Sequence, residues 1–269
     1  MSQDVTSLGH QRASDFLRAE TELLLSIDRT AWPISDYVLA QRNTGPYQLP
    51  EPISHPTWRP SILVVGLNPS FLEGEKGIPS ESGTLETDVQ TVIDFYGKRF
   101  EKSVSTKGNH LHSKLESLFV EAFKSNWGER GIEFPERALG VSGGAVLCDA
   151  IPWKWTGGEK IAEDKGLGRK LTDAEWEPAR ERVQRIAGAI RPSVVISLGD
   201  VVGQQIFGRL PDSSPQGLRP SLLWPRSAWP ILHIAAYHPT GSFGQFSRNR
   251  ANLLAAIVEA LPKDPVLPE

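Results

Sequence analysis

The chain has 269 residues, 39% of them hydrophobic, enough for one large domain with a substantial core. Its formal net charge of −3 and pI near 6.1 give no global sign of a nucleic-acid binder. No apolar run approaches the ~18–20 residues of a membrane span, and the single cysteine, Cys148, excludes an internal disulfide and a cysteine-held zinc or iron–sulfur site.

The first predicted element is a helix around residues 14–27, "SDFLRAETELLLSI", expected to pack outside the main sheet. A proline-rich irregular stretch over 28–60 leads to the first strand, "SILVVG" (61–66). Residues 71–109 are weakly patterned and read as loop with a short helix near "DVQTVIDFYG". The next helix, "HLHSKLESLFVEAF", puts Leu111, Leu115, Leu118, Phe119 and Ala122 on one face. A second strand, "AVLCDA" (145–150), precedes the helix "LTDAEWEPARERVQRIAGAI". That helix opens on a capping box, Thr172 to Glu175, and carries Trp176, Ala179, Val183, Ile186 and Ile190 as its stripe. The third strand, "SVVISLG" (193–199), runs into "DVVGQQIFG", where Asp200 reads as a helix N-cap. After a second proline-rich stretch (211–229) comes the fourth strand, "PILHIAA" (230–236). The last helix, "SRNRANLLAAIVEAL", takes Ser247 as N-cap and Leu254, Ile257, Val258 and Leu261 as core face, and the tail "LPKDPVLPE" should fray.

The four strands are short, β-branched and continuously apolar, as strands buried on both faces are. Alternation with helices predicts an α/β fold: a three-layer α/β/α sandwich around a central, mostly parallel four-stranded sheet. Residues 1–269 read as one domain, with 1–60 as an N-terminal helix and irregular extension and 60–262 as the core. The stretch 97–114 carries Lys98, Arg99, Lys102, Lys107 and Lys114 against Glu101, and Lys154, Lys160, Lys165, Arg169 and Lys170 follow "PWKW". Both read either as solvated loops or as a phosphate-facing patch.

In an open α/β sheet, ligands collect outside the carboxyl ends of the strands. Those ends carry Asn68 in "GLNPS", Asp149 in "CDAIPWKW", Gly199-Asp200, and His238 in "YHPTGSFGQF". Each has a structural alternative: Asn68 as a turn initiator before Pro69, Asp149 as a loop-holding carboxylate, His238 as a satisfied core histidine. Parallel strands would bring all of them to one edge.

"GLNPS" at 66–70 resembles the first motif of the uracil-DNA glycosylase superfamily, nearest to its mismatch-specific and single-strand-selective branches. "HPTGSFG" at 238–244 is similar to the second motif, and "VLCDAIP" falls where that superfamily has its base-reading strand end. The resemblance covers roughly residues 60–260. It departs at Thr240, where serine is usual, and at Asp149, where readers of uracil commonly have Asn. It implies hydrolysis of an N-glycosidic bond on a deaminated or mismatched base flipped out of DNA, without cofactor or metal. Asn68 and His238 would be catalytic, the first orienting water and the second donating to the departing base. Asp149 and Phe71 would hold the base, and Ser70, Thr240, Gly241, Ser242, Phe243 and Arg248 would contact DNA, with Phe243 as a wedge. For Phe71 and Phe243 the competing role is core packing.

The expected protein is a monofunctional DNA glycosylase of base excision repair, cytoplasmic, with DNA as partner, no membrane and no obligate protein partner. The alternatives are a hydrolase of nucleosides or nucleotides and a non-catalytic nucleic-acid binder of the same fold.

Overall fold

A computed structural model describes residues 2–26, 53, 61–67, 89–105, 111–134, 136–140, 143–152, 172–212, 216–217, 232–240 and 244–263. In chain order the elements are α1 (Ser2–Ser26), β1 (Ile62–Gly66), α2 (Val89–Ser105), α3 (Leu111–Asn126), β2 (Ala145–Asp149), α4 (Glu177–Ile190), β3 (Val194–Leu198), α5 (Asp200–Phe207), β4 (Gln216–Gly217), β5 (Leu232–Ala236), α6 (Gln245–Arg248) and α7 (Arg250–Ala260).

The sheet order is β2-β1-β3-β5-β4. The four strands expected from the sequence pair in parallel, with Ile62 opposite both Ala145 and Val194, and Val194 opposite Leu232. The two-residue β4 adds an antiparallel edge on β5. Successive side chains of a strand point to opposite faces, and here both faces are buried. Leu63, Val65, Val146, Cys148 and Val195 pack with α4, α5 and Leu17 of α1. Ile62, Val64, Leu147, Ile196, Ile234 and Ala236 pack with α3, Phe246 of α6 and α7. The result is the expected three-layer α/β/α sandwich.

Several elements differ from the sequence reading. The first helix reaches back to Ser2, and it lines the core rather than sitting outside it, because Leu17 and Glu20 are buried. The short helix near residue 88 is the 17-residue α2. Val92, Tyr96 and Phe100, at i, i+4 and i+8, are its buried edge, so Lys98 and Lys102 lie on a helix rather than a loop. Thr172 and Glu175 do bond, the Thr172 N–H donating to Glu175 Oε2 at 2.6 Å, but a 3₁₀ turn over Ala174–Trp176 intervenes before α4. Asp200 is the first helical residue of α5, and the N-cap is Gly199. Ser247 lies inside the one-turn α6, and Asn249 caps α7. The buried positions of α7 are Leu253, Ala256, Ile257 and Ala260, with Leu254 and Val258 only partly covered. The start of the tail is tied down: Pro262 O accepts from Asn126 Nδ2 at 2.9 Å and Trp127 Nε1 at 3.0 Å.

Candidate active site

From β1 the chain moves outward to β2, then returns past β1 to β3 and on to β5. The direction of winding therefore reverses between β1 and β3. That reversal opens a crevice at the carboxyl end of the sheet, the ordinary ligand position of such folds. Gly66 and Leu67 form one lip of it and Gly199 and Asp200 the other. Asp149 ends the strand on one flank, and His238 follows the strand on the other. With ~4.8 Å between neighbouring strands, β2 and β5 are roughly 14 Å apart. Asp149 and His238 thus stand on opposite flanks of the crevice and do not form a contacting pair.

Asp149 is half-buried and stands opposite Gly66 in the β1–β2 register. A Cβ added to Gly66 would overlap Asp149 Oδ1, so the carboxylate lies over the glycine at the end of β1. The pairing continues past the strands, with Ala150 N–H donating to Gly66 O at 2.8 Å and Ile151 N–H to Leu67 O at 2.9 Å. On the outer side of β2, Arg182 of α4 donates through Nη1 to the Asp149 carbonyl.

His238 is also half-buried. Its Nδ1 lies 3.3 Å from the Thr240 amide nitrogen and 3.1 Å from Thr240 Oγ1. An amide N–H can only donate, so Nδ1 is an acceptor, and the neutral ring carries its proton on Nε2. Beneath the ring, Gly199 has φ +86 and its N–H donates to Ala236 O at 2.8 Å. A Cβ on Gly199 would come within 3.6 Å of His238 Cβ, in addition to the strain of the positive φ. From α3, Lys114 Nζ donates to Pro239 O at 2.8 Å. The loop after β5 is therefore fixed by β3, by α3 and by its own threonine. Thr240, expected at the DNA, has its hydroxyl at the His238 ring. Lys114, grouped with the basic stretch, is docked on the loop itself.

Arg248 ends α6 with an exposed side chain. Arg250, beside it, is committed to α3 through Glu121 Oε2 at 2.6 Å. Asn68, Ser70, Phe71, Gly241, Ser242 and Phe243 lie outside the described residues, as do Lys107, Lys154, Lys160, Lys165, Arg169 and Lys170.

Two buried polar clusters were not read from the sequence. Glu20 of α1, 2% exposed, pairs with Arg182 Nε at 3.1 Å and with Arg185 Nη2 at 3.0 Å. Arg182 falls within the apolar stripe of α4, between Ala179 and Ile186; a charge in such a stripe was the signal that it has a buried partner. The second cluster is His233 of β5, whose Nε2 lies 3.0 Å from Ser197 Oγ while Phe207 stacks on its ring. Among the described residues its buried Nδ1 has no partner. Burial, and next the Arg209 charge, push its pKa down to about 3, so the ring is neutral.

The Cys148 thiol, beside Asp149, is raised to about 12, chiefly by burial. Among the described residues no group of three or more His, Cys, Asp or Glu side chains could hold a metal ion. No helix among them is long and apolar enough to cross a membrane. No family model matches the chain, and a search of curated proteins found none that matches it.

Proposed function

We propose that the protein is a monofunctional DNA glycosylase that removes a deaminated or mismatched base flipped into the crevice between the β1 and β3 ends. The observation that carries this reading is the pairing of unlike groups across that crevice. Asp149 offers acceptors on one flank, and on the other Thr240 holds His238 Nδ1 as an acceptor, so that Nε2–H is the ring's donor. A base entering between them meets an acceptor at its edge and a donor at an oxygen.

When the glycosidic bond breaks, its electron pair stays with the base and an oxygen of the ring gains negative charge. A preorganised Nε2–H lowers the barrier by stabilising that charge. Asn68, the second residue after β1, would orient the attacking water through its amide oxygen. Asp149 accepts N–H groups, which suits hypoxanthine and xanthine as well as the N3–H of uracil. A cytoplasmic location goes with this reading, since the one cysteine is buried and free.

The test is incubation with single- and double-stranded oligonucleotides carrying uracil, hypoxanthine, xanthine or mismatched thymine, followed by cleavage of abasic sites. Base release from at least one substrate, lost in His238→Ala, is the expected result. Hydrolysis of free nucleosides only, or DNA binding without base release, would replace the reading by a nucleoside hydrolase or a non-catalytic binder respectively.

A further inference from the structure

β2 is an edge strand of the sheet, so among the described residues its carboxyl end has a neighbouring strand on one side only. On the inner side β1 holds it, through Ala150 N–H to Gly66 O and Ile151 N–H to Leu67 O. On the outer side the Asp149 carbonyl receives the Arg182 guanidinium. Arg182 is 1% exposed at its side chain, and so is Glu20, whose Oε1 accepts from Arg182 Nε at 3.1 Å. The other Glu20 oxygen accepts from Arg185 Nε at 3.1 Å and Nη2 at 3.0 Å. A guanidinium is a planar fork, so fixing its Nε edge on Glu20 fixes where Nη1 points. Burying this much charge is costly, and a hydrophobic pair of similar volume generally serves stability as well. A buried ion pair that also grips the backbone of a site residue is explained better by geometry than by stability.

We propose that Arg182, oriented by Glu20 of α1, is a positioning residue for Asp149: it holds the peptide of the base-reading residue from the outer edge of the sheet and makes α1 part of the site. The proposal rests on the reading of Asp149 as the group that meets the base. Glu20→Gln keeps the shape of the carboxylate and removes its charge, which loosens the fork. The paired change Glu20→Leu with Arg182→Met removes both charges together and avoids leaving one stranded in the core. It serves as the second variant should the first fold poorly.

Two measurements on the full-length protein decide the matter. The first is amide hydrogen exchange. Exchange at Ala150 and Ile151 should rise about tenfold more than at Val195 and Ile196 of β3, because only the β2 end is released. A uniform rise, or none at Ala150 and Ile151, would mean that the cluster is a structural brace, and the proposal falls. The second is the ratio of kcat/KM for uracil against hypoxanthine in the same oligonucleotide. Displacing the reader should move that ratio about tenfold, since sub-ångström placement governs such rates. The control is Asp149→Asn. If Asp149→Asn moves the ratio and both cluster variants leave it unchanged, the positioning role is overturned. If Asp149→Asn itself leaves it unchanged, Asp149 is not the base reader, and the proposal falls with that reading.

Discussion

In the proposed reaction His238 is the residue on which the chemistry turns, and its environment gives two testable dependences. His238→Ala should lower single-turnover base release by on the order of 10²–10³, the usual loss on removing one preorganised donor, while melting temperature stays near that of the parent. An unchanged rate would remove His238 from the chemistry. Thr240 supplies a backbone N–H and a hydroxyl to the same nitrogen. Thr240→Ser should therefore keep full activity, because both groups remain. Thr240→Val keeps the N–H alone and should cost up to about tenfold, the value of one modest hydrogen bond. A Thr240→Ser rate well below that of Thr240→Val would show that the methyl, which valine keeps and serine lacks, and hence packing, is what matters. Cys148 provides a contrast at the same scale. Its thiol is raised to about 12 mainly by burial, so almost none of it is thiolate at neutral pH. It should react with a thiol reagent only after unfolding; stoichiometric labelling of native protein would contradict the packing around β2.

At the scale of elements, the four parallel strands were legible to within two residues because each is buried on both faces and its sequence is mostly apolar with little alternation. What was not legible followed from weaker signals. The face of α7 was placed only in part: Ile257 and Leu261 are buried as expected, but Leu253 and Ala256 are buried where Leu254 and Val258 were expected, because "NLLAAIVEAL" is apolar nearly all round and its periodicity does not single out Leu253 over Leu254. In α2 the apolar residues Val92, Tyr96 and Phe100 are spaced a turn apart among charges, and that narrow edge was too faint to extend the helix to Ser105. The strand ends that bear Asp149 and His238 could be named from topology alone. The grip of Arg182 on Asp149 could not, because it joins three elements far apart in sequence. The standing of α1 is testable through Leu17, 6% exposed and packed in the same core as Trp176 and Val183. Leu17→Ala should cost about 2–5 kcal/mol in denaturant unfolding, as truncation in a core does. A cost below about 0.5 kcal/mol, typical of surface positions, would return α1 to the role of an appendage.

For the whole molecule, burial of His233 makes stability depend on pH. Its ring contacts Ser197 and Phe207 in the core, and protonation would make both ring nitrogens donors, with an N–H at Nδ1, where among the described residues no acceptor stands. The folded-state pKa of about 3 lies below the ordinary value of 6.5 that the unfolded chain would show. Between these two values the unfolded chain binds the extra proton and the folded protein does not. Stability contributed by the neutral ring is therefore complete above about pH 6.5 and declines as pH falls toward 3. From pH 7.5 to pH 5 the loss from this one group is about 2 kcal/mol, obtained from 1.36 kcal/mol per pH unit over the part of the window that is crossed. His233→Gln, which can still reach Ser197 with an amide nitrogen but does not titrate, should be less stable than the parent at pH 7.5 and lose less between pH 7.5 and 5. Urea unfolding of both proteins at the two pH values separates this from the background of other histidines, which is common to both. Equal losses would mean that the His233 ring is protonated in the folded protein without penalty, and that water or another acceptor reaches Nδ1.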